Sequence, residues 1–419
     1  MVFRSDFARR FSRPAGIVDL MRDLGEALNQ NPELLFLGGG NPAHIPGVES
    51  ELASALHRIS ADATALRSLL GIYQSPQGSE RLLAQLSQYF RKRGWPVTAA
   101  NLCITNGSQA AFFALSNLLA GSFSGAPEHI LLPMLPEYLG YVDQGVHGTL
   151  FKGCQPQIKL RPEGRFKYHV DFELLSIDEA TRALLVSCPG NPSGNVLTNE
   201  EIVHLGQLAD THNIPLIIDC AYGAPFPSLI YTKEHELRWA SNRIFVLSLS
   251  KLGLPGARTG IVVADEAVIE ALVSTNTVFN LASGNLGPAL LSELLATEKL
   301  DGLVNTIIRP FYCARREQAV AIVEHYLSPL GVRLHEPDGA FFLWLWLPEL
   351  PITSGELYQT LKEKKVLVLD GSHAFFGAGR QWRHAHECIR LNYCADMAVF
   401  EKAVVIIAEQ LSQWLRVRT

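Results

Sequence analysis

Between residues near 100 and 265 the sequence repeats one pattern, a short uninterrupted apolar run and then a helix-length stretch. Ile130-Leu131-Leu132, Leu184-Leu185-Val186, Leu216-Ile217-Ile218, Phe245-Val246-Leu247 and Gly260-Ile261-Val262-Val263 are such runs. A strand with one wet face alternates apolar and polar residues, whereas a strand covered on both faces reads as a continuous apolar run. Runs of this kind, spaced by helices, predict a mainly parallel α/β sheet. Open α/β sheets bind ligands beyond the carboxyl ends of their strands, so the residues that follow each run are the candidates for chemistry.

Those residues are unusual. Phe245-Val246-Leu247 runs into Ser248-Leu249-Ser250-Lys251-Leu252-Gly253-Leu254-Pro255-Gly256-Ala257-Arg258. One lysine, two hydroxyls and one arginine share a glycine-rich turn, as a Schiff-base lysine beside a phosphate cup requires. The cofactor this suggests is pyridoxal 5'-phosphate, whose aldehyde condenses with a lysine amine. The plain alternative for Lys251 is a solvated surface lysine. Leu216-Ile217-Ile218 leads into Asp219-Cys220-Ala221-Tyr222. A carboxylate at Asp219 can pair with a protonated pyridine nitrogen, and Tyr222 can donate to the ring's phenolic oxygen. Alone, Asp219 reads equally as a turn or helix cap. Ala183 to Ser187 runs into Cys188-Pro189-Gly190-Asn191-Pro192-Ser193-Gly194, a tight turn that presents Asn191. Leu102 to Thr105 leads into Asn106-Gly107-Ser108-Gln109 and then a helix-like stretch. Free N–H groups and the positive helix end make this a phosphate site, with an ordinary cap at Ser108 as the alternative.

Taken in this order, the four segments resemble those of fold-type I pyridoxal-phosphate enzymes, in the aspartate aminotransferase superfamily. The resemblance reaches both ends of the chain. Leu37-Gly38-Gly39-Gly40-Asn41-Pro42 resembles a loop that receives the substrate carboxylate, and Arg390 in Cys388-Ile389-Arg390-Leu391-Asn392-Tyr393 resembles the arginine that clamps it. Tyr73, in Tyr73-Gln74-Ser75-Pro76-Gln77-Gly78, resembles a tyrosine that reaches the neighbouring subunit's phosphate. Phe166 to Phe172, Tyr222 to Pro227 and Gly339 to Trp346 extend the likeness along the chain. The sequence departs from many relatives in one place, where Lys251 and Arg258 stand one residue closer. That turn, the Gly38–Pro42 entry and Pro136-Glu137-Tyr138-Leu139-Gly140-Tyr141 resemble one narrower branch of the superfamily.

The resemblance implies an α/β fold. Its large domain carries a mainly parallel seven-stranded sheet, and its smaller domain is α+β. Residues 1–50 are expected as an N-terminal arm and part of the small domain, 51–305 as the large cofactor-binding domain, and 306–419 as the C-terminal small domain. It implies Lys251, Asp219 and Tyr222 as catalytic residues. Cofactor contacts are implied for Gly107, Ser108, Gln109, Tyr138, Asn191, Ser248, Ser250 and Arg258, with Tyr73 from a partner. Gly40, Asn191 and Arg390 are implied to hold an amino-acid or 2-oxo-acid substrate in a homodimer with shared sites. The sequence shows no motif for a second cationic clamp, which disfavours a dicarboxylic substrate. Phe375, Phe376, Ile17 and Leu37 are candidates for an apolar pocket and equally for core. The same scaffold supports carbon–sulfur lyases and aminocyclopropane carboxylate synthases. A cofactor-sensing transcription regulator needs a DNA-binding domain ahead of Gly40, where only about forty residues stand.

Composition narrows the partners. The 419 residues carry a formal net charge of −5, and no basic stretch points to nucleic acid. No apolar stretch approaches the ~20 residues needed to span a bilayer. Arg4, Arg9, Arg10 and Arg13 interleave with Phe3, Phe7 and Phe11, but Asp6 and Asp19 break the acid-poor pattern of a targeting helix, and an arm over a dimer partner fits better. Seven scattered cysteines without a Cys-x-x-Cys pair read as reduced thiols in a cytoplasmic enzyme. His384, His386 and Cys388, with His373 nearby, lack a second paired ligand set, so no metal is expected.

Overall fold

The computed structural model describes residues 5–12, 33–123, 126–146, 148–232, 235–348, 350–377 and 382–416. The apolar runs form one seven-stranded sheet. Edge to edge its strands are Leu102–Thr105, Gly260–Val263, Arg243–Ser248, Leu216–Asp219, Thr181–Ser187, His129–Leu132 and Phe151–Gly153. Gly260–Val263 is antiparallel to both neighbours, and every other pairing is parallel. It follows the lysine turn with no crossover helix, so it can only return in the opposite direction. Every residue of Leu102–Thr105, Leu216–Asp219 and Gly260–Val263 is buried, as their unbroken apolar character requires.

Helices bury the sheet. Ser108–Leu119 packs on Gly260–Val263 and on the helix Glu266–Asn280, and Asn199–Thr211 packs on Leu216–Asp219 and Thr181–Ser187. The latter begins at a capping box, with Thr198 Oγ1 accepting from Glu201 N–H and Glu201 accepting from Thr198 N–H.

A second sheet has six strands, ordered Leu369–Asp370, Cys388–Asn392, Phe342–Trp346, Arg333–His335, Arg165–His169 and Gln157–Leu160. Its last two strands come from within the 51–305 stretch, so this sheet spans the boundary expected at 305. Arg165–His169 pairs in parallel with Arg333–His335. Tyr168 secures the join. Its N–H donates to His335 Nε2 at 3.2 Å, and its hydroxyl accepts from Trp344 Nε1 at 2.9 Å and meets His384 Nε2 at 2.6 Å. His384 is thereby buried in an aromatic cluster.

Leu35–Phe36 pairs with Val366–Leu367, which carries the Gly38–Gly40 loop past the strand that bears Arg390. From 300 to 326 the chain is helical, as its spacing predicts. A π-helical turn, Leu303–Ile308, precedes Arg309–Tyr326. Pro310 supplies no N–H to the preceding turn, which accounts for the wider winding there. The short helix Asp6–Phe11 lies on this chain's own large sheet unit, where Arg10 Nε donates to Gly145 O at 3.2 Å. Ile17, like Phe3, Arg4, Arg13 and Asp19, falls outside the described residues. All seven cysteines are unpaired. Among the described residues no helix is long and apolar enough to cross a membrane, and no group of three or more His, Cys, Asp or Glu could hold a metal ion.

Candidate active site

Four strands, Leu102–Thr105, Thr181–Ser187, Leu216–Asp219 and Arg243–Ser248, end at a cavity of about 270 Å³. Gly40, Ser108, Gln109, Tyr138, Asn191, Asp219, Tyr222, Ser248, Ser250, Lys251, Arg258 and Arg390 all line it. Gly107 stands directly behind Arg258. Tyr73 does not line the cavity and is 82 % exposed. Leu37, Phe375 and Phe376 do not line it either. Leu37 and Phe375 are core, and Phe376 packs edge-on against Phe151.

One end of the cavity is a cup for an anion. Gly107, at φ +86°, opens the helix Ser108–Leu119, whose first N–H groups have no partner within the helix. A Cβ at Gly107 would stand 2.3 Å from Arg258 Nη2, so glycine is required both by φ and by the arginine's approach. Arg258 itself is left-handed, at φ +44°. Its Nη1 lies 3.5 Å from Ser250 Oγ and donates to Pro255 O at 3.3 Å. Ser248 Oγ accepts from Ser250 N–H at 3.2 Å. Hydroxyls, helix N–H groups and a guanidinium are the donor set that a phosphate dianion takes.

The other end is a buried floor. Asp219, 7 % exposed, accepts from the Tyr141 hydroxyl at 2.6 Å and from Ala221 N–H at 2.8 Å. Burial pushes its carboxyl up to about 6, against those two donors. A second carboxyl, Glu137, accepts from Ser187 N–H at 2.8 Å and meets the Ser187 hydroxyl. Burial holds it up at about 8. The Tyr138 ring stands edge-on to Tyr141, with centroids 5.3 Å apart. Gln109 Nε2 donates to Gly140 O at 3.0 Å, which fixes this tyrosine segment to the cup helix. Sequence reasoning assigned no role to Glu137 or Tyr141. The available signal was an acid set among the otherwise apolar residues of Ile130 to Leu139.

Two cations close the cavity. Lys251 Nζ donates to Gly40 O at 2.6 Å and lies 5.3 Å from the centre of the Tyr222 ring. Burial lowers its amine to about 8, and the Arg390 and Arg258 charges act in the same direction. Arg390, 3 % exposed, donates from Nη1 to Asn191 Oδ1 and from Nη2 to Gly38 O, each at 2.6 Å. It stacks on Phe342 with Cζ 4.1 Å from the ring centre, while its Nε is buried without a hydrogen-bond partner. A buried guanidinium with an unused donor suits an anionic ligand group.

The arrangement has counterparts among known proteins. A family model described as aminotransferase class I and II matches residues 49–407. The chain is 44% identical over 409 residues to the valine–pyruvate aminotransferase of Escherichia coli strain K12, covering 97% of each. Its structure matches the crystal structure of the valine–pyruvate aminotransferase of Salmonella typhimurium LT2 with a TM-score of 0.88 at 44% identity, covering 96% of this chain and 100% of that one. The fold alone is shared with an aspartate aminotransferase from Thermus thermophilus, with a TM-score of 0.78 at 23% identity over 98% of this chain and 100% of that one.

Proposed function

The chain belongs to the class I and II aminotransferases, and on that premise we propose that it transfers the amino group of L-valine to pyruvate. The products are 3-methyl-2-oxobutanoate and L-alanine, and the cofactor is pyridoxal 5'-phosphate. The observation that carries the reaction class is the convergence of Lys251, Asp219, Arg258 and Arg390 on one cavity. The choice of valine and pyruvate rests on the full-length likeness to the Escherichia coli enzyme. The short Lys251–Arg258 turn and the Pro136–Tyr141 segment agree with it, since both resemble valine–pyruvate aminotransferases.

The residues present fit the cofactor. The Gly107 cradle leaves Arg258 room at the cup, and the buried Nε of Arg390 is free for a substrate carboxylate. When bound, the cofactor supplies an aldehyde for a lysine amine and an electron sink for the α-carbon. Ser108, Ser248, Ser250 and Arg258 hold its phosphate, with the N–H groups at Gly107 and Gln109. Asp219 keeps the proton on the pyridine nitrogen. Asn191 and Tyr222 would supply the polar contacts to its phenolic oxygen, and Tyr138 would offer an aromatic face to its ring. Arg390 pairs with the donor's α-carboxylate, helped by the Gly40 segment. Lys251 Nζ, lowered toward neutrality by burial, would serve as the base that takes up and returns the proton of the donor's α-carbon.

A homodimer completes the reading. Leu70, Ile72 and Tyr73 are exposed, as are Phe279 and Leu281. Asn285 Nδ2 donates to Leu69 O and Ile72 O, which ties the 69–72 segment to the one that follows Leu281. A second copy seated there brings its own Tyr73 toward the cup. Residues 51–305 then form the large cofactor-binding unit apart from Gln157–His169, which joins the second sheet, 306–419 form the C-terminal small unit, and 1–50 form the arm and part of the small unit. The unpaired cysteines suit a reducing cytoplasm.

A two-step absorbance titration tests the proposal. L-valine alone converts the lysine-bound cofactor to its amino form, and pyruvate then restores the original band. Conversion by other donors only would keep the class and discard the named substrates. Keto acid released with no amino form would point to a lyase. A protein that gains no cofactor band at all would end the reading of Lys251.

A further inference from the structure

Glu137 is 2 % exposed and sits between buried Leu135 and Leu139. Among the described residues it has no ion-pair partner. Burying a carboxyl without a counter-charge is unfavourable, and an apolar side chain would fill the space more readily. Its hydrogen bonds are confined to the cavity wall and the small unit. One carboxyl oxygen accepts from Ser187 N–H at 2.8 Å. The other meets the Ser187 hydroxyl and accepts from Tyr138 N–H at 3.3 Å. The Glu137 N–H donates to Ala374 O at 3.0 Å. Ser187 and Tyr138 both line the cavity, and Ser187 stands in register with Asp219 on the adjacent parallel strand. The titratable groups facing Glu137 are Asp219, Tyr138, Tyr141 and Cys188, and none of them is a cation. As the neutral acid, Oε2 donates its proton to Ser187 Oγ while accepting from Tyr138 N–H, and Oε1 accepts from Ser187 N–H.

We propose that Glu137 is a positioning residue for the transamination: a single neutral carboxyl group sets the Tyr138 ring and Ser187 against the cofactor without placing a second negative charge beside Asp219. The proposal rests on the reading of this cavity as the pyridoxal-phosphate site. The burial that holds the Glu137 carboxyl up at about 8 agrees with it.

Glu137→Gln and Glu137→Leu test it against wild type. The readouts are the dissociation constant of pyridoxal 5'-phosphate, the pH midpoint of its lysine-bound absorbance band, kcat and KM for L-valine, and thermal stability. Glutamine keeps the shape, an acceptor for Ser187 N–H and a donor for Ser187 Oγ, and loses only the long 3.3 Å bond from Tyr138 N–H, so cofactor affinity stays within about threefold of wild type. Leucine leaves Ser187 N–H and Tyr138 N–H unpaired, and affinity falls about 10- to 100-fold with a shifted midpoint. Above about pH 8 wild type ionises at Glu137 and loses affinity, whereas the glutamine variant holds its own. A leucine variant with wild-type affinity and midpoint overturns the proposal, as does a loss of thermal stability alone in both variants. If the leucine protein does not fold, an identical alkaline decline in wild type and the glutamine variant overturns it. A wild type that binds no cofactor would instead bring down the reading of the cavity itself.

Discussion

The two ends of the cavity are built by opposite means. The cup is made from residues close together in sequence, with Ser248, Ser250 and Arg258 in one turn and Gly107 and Ser108 in another. Its geometry is set by glycine and by left-handed backbone, and Arg258 faces water. The floor is made from partners far apart in the chain. Tyr141 reaches Asp219 across 78 residues, Glu137 reaches Ser187 across 50, and Arg390 reaches Asn191 across 199. Its groups are buried, and their proton affinities are displaced accordingly. The cup grips with preformed donors, of which the Arg258 charge is within reach of solvent and salt, whereas the floor tunes by removing water.

Substitutions can break or sharpen that contrast. The largest effect belongs to Lys251, which joins the two ends. Lys251→Ala should lower turnover by about 10⁴-fold or more, and single-turnover kinetics near wild type would remove it as the base. Next comes the floor. Asp219→Asn should lower kcat by about 100- to 1000-fold and yet stabilise the cofactor-free protein. The carboxyl's value of about 6 in the fold exceeds its ordinary 3.8, so its contribution is lost as pH rises through 6. The penalty at pH 8 is about 3 kcal/mol. The cofactor-free variant should therefore melt higher than wild type at pH 8 but not at pH 4, and equal melting at both would contradict the burial argument. Arg390→Lys should raise the KM for valine about 10- to 100-fold with a smaller change in kcat, because a point charge cannot replace a planar fork. An unaltered KM takes Arg390 out of the carboxylate site. The smallest effect is expected at the cup. Gly107→Ala strains a backbone at φ +86°, ψ +158° by about 1–3 kcal/mol and displaces Arg258, so cofactor affinity should drop about tenfold while kcat at saturation holds. A fall in kcat instead would mean that the cup also governs the chemistry.

The same contrast explains what was legible in the sequence. The sheet and the cup were readable because both rest on local signals, unbroken apolar runs and glycine-serine turns placed after them. Asp219 and Lys251 were readable for the same reason, as polar residues at or just past the carboxyl end of a strand. Glu137 and Tyr141 were passed over because their importance lies in partners 50 and 78 residues away. The hairpin at Gln157–His169 was also out of reach, since its pairing with Arg333–His335 joins distant segments and has no local signature. Leu37 and Phe375 fell into the core because apolarity alone does not say which surface a side chain meets.

The three consecutive glycines at the entry differ in what they would tolerate. A methyl at Gly38 would strike Val368 O at 2.6 Å, and one at Gly39 would strike the Phe36 ring at 2.3 Å. At Gly40 the nearest atom, Lys251 Nζ, is 3.8 Å away. For laboratory evolution this makes residue 40 the one adjustable stop in an otherwise fixed gate. Small side chains introduced there would trim the room left for a donor amino acid while leaving the pairing of Leu35–Phe36 with Val366–Leu367 untouched.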